Sequence, residues 1–106
     1  MKIEAFTASP KQLVAAIDKA MNEGDLKTWA IVKNSQGDPI YTHTPPQWNE
    51  KALIVRQAAE DRVIFIINYW KGGSEPSAEI KGYYFGRFTE ILLVHFRSYY
   101  SKLEVF

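Results

Sequence analysis

The sequence predicts an α+β fold: a mostly antiparallel sheet of five or six strands with two helices packed on one face. Three observations point there. Helical spacing of apolar residues marks one segment near each end of the chain. Between them, short segments of strand character alternate with turn residues, as hairpins do. One of those segments, Arg62–Trp70, is apolar on both of its faces, which befits a central strand covered from two sides. The expected order is β-α-β-β-β-β-β-α-β within a single domain over residues 1–106.

Lys2–Thr7 has the character of a short opening strand. Ser9-Pro10-Lys11-Gln12 then starts a helix: serine caps, proline suits the first helical position, and glutamine stands at the capping-box spacing. Leu13, Ile17, Ala20 and Met21 recur at helical intervals, and Gly24 ends the run. From Lys27 the period changes. Thr28–Lys33 and Ile40–His43 form a hairpin around the turn residues 34–38. Thr44–Asn49 is a loop, because Pro45 and Pro46 lack the amide donor a ladder needs, and it carries Trp48.

Ala52–Gln57 and Arg62–Trp70 form a second hairpin around residues 58–61. A flexible loop follows over Lys71–Glu79, where Gly72, Gly73 and Pro76 fall close together. Ile80–Arg87 resumes as a strand by its alternation. Phe88–Tyr100 repeats apolar residues at Phe88, Leu92, Phe96 and Tyr99, one face of a helix that Ile91, Leu93 and Val94 widen almost to a full circle. Such a helix is deeply packed or offers apolar surface to a partner. Lys102–Phe106 closes the sheet.

Composition narrows the function. The chain has 106 residues, 46% hydrophobic and 14% aromatic, a globular rather than a disordered composition. It has no cysteine, which excludes a disulfide framework, a thiolate metal site and a cysteine nucleophile. Thirteen basic residues face 12 acidic ones, without the basic stripe of a duplex-binding protein. The start, MKIEAFTASPKQ, lacks the pattern of a secretory signal, and no apolar run reaches membrane-spanning length. A cytoplasmic location without membrane association is the expectation.

The octet Lys81-Gly82-Tyr83-Tyr84-Phe85-Gly86-Arg87-Phe88 concentrates aromatic, basic and glycine residues. As a strand it places Lys81, Tyr83, Phe85 and Arg87 together on one face. It resembles, in part, the octapeptide signature of RNA-recognition-motif domains, with Lys81, Gly82, Tyr83, Phe85 and Phe88 in agreement and Tyr84 and Gly86 departing. The resemblance implies stacking of unpaired bases on Tyr83 and Phe85, with Lys81 meeting phosphate. The family's partner motif belongs on the first strand, where only Phe6 is aromatic. The competing reading buries Tyr83 and Phe85 in the core, with the glycines allowing a helix to approach.

No other constellation carries catalytic chemistry. Neither His43 nor His95 has ligand spacing to a second histidine or carboxylate, and His95 is expected in the core. Gly72-Gly73-Ser74 lacks the lysine of a phosphate loop, and no nucleophile elbow occurs. The expectation is therefore a non-enzymatic module without cofactor or metal. Large apolar residues at Trp48, Trp70, Val94 and Tyr100 exceed what two helices cover, so self-association or a protein partner leads. Single-stranded nucleic-acid binding through Lys81, Tyr83, Phe85 and Arg87 is the alternative.

Overall fold

Two pairs of parallel strands that are not neighbours dictate where the helices go. The computed structural model describes residues 1–47, 51–70 and 72–106. Its strands are β1 (Lys2–Phe6), β2 (Trp29–Lys33), β3 (Pro39–His43), β4 (Leu53–Ala58), β5 (Arg62–Asn68) and β6 (Lys102–Val105). They form one sheet in the order β2-β3-β4-β5-β1-β6, and every adjacent pair is antiparallel. It follows that β1 runs parallel to β2, and β5 to β6. Parallel strands cannot be joined by a hairpin, so each pair needs a long crossover. Helix α1 (Pro10–Asn22) supplies the first and helix α2 (Ala78–His95) the second, followed by a 3-10 turn at Arg97–Tyr99.

The turns form where the sequence provides for them. Pro10 opens α1, and Gly24 leaves it with φ of 77°. Ser9 occupies the N-cap position, yet its side chain makes no cap hydrogen bond; its carbonyl instead accepts from the Gln12 and Leu13 amides at 3.0 and 3.2 Å. The β2–β3 turn closes on Asn34, whose Oδ1 accepts from the Gln36 and Asp38 amides at 2.9 Å each, and on Gly37 at φ 82°.

Strand alternation and register divide the sheet into two faces. Ile3, Ala5, Tyr41, Ile54, Val63 and Phe65 point to one, where both helices lie. Leu13, Ile17 and Met21 of α1, with Tyr84, Phe88, Ile91 and Leu92 of α2, complete that core. Phe88 is its hub, with ring centroids 4.9 Å from Phe65, 5.3 Å from Trp29 and 5.7 Å from Tyr41. As the two-sided pattern of Arg62–Trp70 requires, β5 lies inside the sheet between β4 and β1.

The second face is covered unevenly. At the β1 end, Arg62 and Lys102 lie over the Phe6 ring at 4.4 and 4.7 Å, and Arg62 Nη1 donates to buried Glu4 Oε1 at 3.2 Å. At the β3–β4 end, Ile40 and Leu53 are buried while Ile66 on β5 stays 39% exposed.

One expected element changes type. Ile80–Arg87 is helical, forming the first half of α2 rather than a strand. Ser77 caps it, its Oγ accepting from the Ile80 amide at 3.2 Å, and Glu79 stands favourably in the positive first turn. Ile80, Tyr84, Phe88 and Ile91 then follow at helical spacing toward the core. Burial of that stripe outweighs the local alternation that suggests a strand.

Candidate functional site

Helical geometry redistributes the aromatic-basic octet. Tyr83 and Phe85 are two residues apart, a rotation of about 200° around a helix, so they face opposite ways. Phe85 is buried in the core, whereas Tyr83 is 46% exposed. Lys81 turns inward with Phe85 and is half-buried, its Nζ 3.4 Å from Glu75. Arg87 turns outward with Tyr83 and lies 3.7 Å from Glu90. The expected single face of Lys81, Tyr83, Phe85 and Arg87 is therefore absent, because it depended on strand alternation. The partial likeness to the RNA-recognition octapeptide loses its strand context for the same reason.

What α2 does present is an outward stripe opposite the core. Around the wheel from Gly82 to Arg87 run Gly82, Leu93, Gly86, Glu79, Glu90, Tyr83, Val94 and Arg87. Leu93 is 44% exposed and Val94 67%. Mid-helix glycine costs about 1 kcal/mol relative to alanine. Among the described residues nothing inside the molecule demands it here: a Cβ added at Gly82 or Gly86 meets no atom within 4 Å beyond their chain neighbours and the helix's own backbone. Two glycines one turn apart thus leave the helix backbone bare along this stripe, with Leu93 following them along the same line and Tyr83 and Val94 to one side. Such a bare stripe lets a second helix approach closely.

The remaining predicted positions fall elsewhere. Trp48 lies outside the described residues. Trp70 is half-buried and lines a cavity with Ile40, Leu53 and Val55 on the second face of the sheet. Tyr100 packs on the core and donates its hydroxyl to the Leu92 carbonyl at 2.9 Å, so it is no surplus apolar surface. His95 is exposed at the end of α2 rather than in the core, because the helix ends there and the core stripe continues through Phe96.

Two polar centres lie outside the predicted site residues. His43 is buried against Trp29, ring centroids 4.6 Å apart, with Nδ1 2.8 Å from the Thr28 carbonyl. Facing a carbonyl, Nδ1 carries the proton. Burial lowers its pKa below the usual 6.5 and keeps it neutral near pH 7, against the raising effect of the Thr28 bond. In the second centre, Tyr41 donates to Asp18 Oδ1 at 2.7 Å, and Arg56 Nη1 bonds both Asp18 and, at 2.9 Å, the Tyr41 hydroxyl. These three groups satisfy one another and join α1 to the sheet. No sequence spacing marks them, since they come from three separate elements.

Among the described residues, no group of three or more His, Asp or Glu side chains converges as metal ligands would, and no helix is long and apolar enough to cross a membrane. No protein family, curated protein or solved structure matches this chain.

Proposed function

We propose that the chain is a non-catalytic, homodimeric binding module that pairs through the outward face of α2. The observation that carries this reading is the pair Gly82 and Gly86, mid-helix glycines where an added Cβ would meet no atom of the described residues within 4 Å beyond the helix itself, set among exposed Tyr83, Leu93 and Val94. Selection of a helix-weakening residue where no internal contact needs it is explained by a contact from outside.

The pattern along α2 favours a second copy as that contact. A two-fold antiparallel crossing centred level with Phe88 sets Val94 of each copy over Gly82 of the other. It sets Tyr83 against Leu93 and the exposed Glu79 near the exposed Arg97. Val94 meets a glycine, the apolar Leu93 meets the Tyr83 ring, and charges meet their opposites, as a self-complementary interface requires.

Because the chain contains no cysteine, an engineered pair reports this register without background. Tyr83→Cys protein mixed with Leu93→Cys protein is expected to form a disulfide-linked dimer under mild oxidation. Lys19→Cys, on the exposed side of α1, is expected not to. Absence of a Tyr83→Cys/Leu93→Cys product in folded protein would overturn the reading.

A further inference from the structure

An open cavity of about 350 Å³ lies between α1 and the end of β4, large enough for a small molecule. Lys11, Val14, Ala15 and Asp18 recur along one flank of α1 and form its first wall. Arg56 and Ala58, alternate residues on one face of β4, form the second.

Arg56 is anchored there through a single nitrogen. Its Nη1 donates both to Asp18 Oδ1 and, at 2.9 Å, to the Tyr41 hydroxyl. Nε and Nη2 make no hydrogen bond among the described residues, yet neither is sealed from solvent, and the side chain keeps 12% of its surface. These two nitrogens present parallel N–H groups, the fork that matches the two oxygens of a carboxylate. Asp18 on one edge and the Tyr41 ring, 5.1 Å from the guanidinium carbon, hold the fork in place before any ligand arrives. Asp18 offsets one of the two positive charges that Arg56 and Lys11 bring, so one is left over among the described lining residues. Val14, Ala15 and Ala58 supply the apolar surface.

We propose that this cavity binds a monocarboxylate with a short apolar tail, its oxygens on Arg56 Nε and Nη2 and its tail on Val14, Ala15 and Ala58. Lys11 stands exposed at the rim, where its ammonium adds to the attraction. One negative charge balances the excess positive charge. An uncharged amide of the same shape forgoes that balance, and an ammonium would face Arg56 and Lys11 unfavourably.

The test follows the Arg56 Nε–H resonance in ¹⁵N-labelled protein, identified by its loss in Arg56→Lys. Butyrate, butyramide and butylammonium are titrated in turn at constant ionic strength, so that screening is the same throughout. The expected result is a saturable shift with butyrate, binding of butyramide at least about tenfold weaker, and no shift with butylammonium. Ala15→Glu, which sets a carboxylate in the cavity from an exposed helix position, is expected to weaken butyrate at least about tenfold. No saturable shift in wild-type protein, butyramide bound as tightly as butyrate, or equal binding of butyrate to folded Ala15→Glu would each overturn the proposal.

Discussion

The Tyr41 hydroxyl donates to Asp18 Oδ1 at 2.7 Å, linking the centre of β3 to the middle of α1. Burial first, and the Asp18 carboxylate second, push the Tyr41 pKa up, so the hydroxyl stays protonated and remains a donor at any ordinary pH. Asp18 in turn compensates the guanidinium of Arg56, whose side chain is only 12% exposed.

That arrangement ranks two substitutions. Tyr41→Phe loses the hydroxyl's bonds to Asp18 and from Arg56 but leaves those two groups paired with each other, and is expected to cost about 1 kcal/mol. Asp18→Ala leaves the Arg56 charge uncompensated in a mostly buried setting and is expected to cost about 2 kcal/mol or more. Urea denaturation of both variants checks the order. Equal losses would mean that the ion pair adds nothing beyond the tyrosine bond.

The two sides of α2 are distinguished by concentration. Phe85→Ala opens a cavity in the core and is expected to destabilise by about 3 kcal/mol at every protein concentration. Val94→Glu touches only the outward face, so its melting temperature should match wild type in dilute protein and fall below it as concentration rises. A concentration-independent loss in Val94→Glu would place Val94 in the monomer's own packing.

His43 makes stability pH-dependent. Its folded pKa is depressed by burial, so the unfolded chain takes up its proton first as pH falls. This contribution is fully present above the unfolded value of 6.5 and is lost as pH drops from there through the lower folded pKa. Chemical denaturation across that window is expected to show a decline that His43→Gln removes. A profile unchanged by His43→Gln would assign the acid sensitivity to other groups.

Much of this architecture was legible because local signals agreed with tertiary burial. Pro10 and Gly24 bracket α1, the turn around Gly37 joins β2 to β3, and the apolar residues on both faces of β5 give its interior place. The octet failed because local and long-range signals conflict there. Its residue types alternate as in a strand and its two glycines weaken a helix, but Ile80, Tyr84, Phe88 and Ile91 mark a helical stripe once Ser77 is taken as the cap. The candidate site was half legible for the same reason. Tyr83 and Arg87 do lie on the outward face, whereas Lys81 and Phe85 turn inward, and the glycines matter through the face they occupy. The Trp70 indole N–H, buried without a hydrogen-bond partner among the described residues, cannot be read from sequence, since burial of that atom depends on the whole fold.

Equilibrium sedimentation of wild-type protein beside the double variant Gly82→Ala/Gly86→Ala tests the central claim most directly. Each alanine should stabilise the monomer by about 0.4–1 kcal/mol, because a methyl group fits freely and the unfolded chain loses entropy. The account predicts a wild-type dimer and a variant that melts higher in dilute solution yet dimerises at least about tenfold more weakly. A wild-type protein that stays monomeric up to submillimolar concentration, or a variant that dimerises as tightly as wild type, would contradict it.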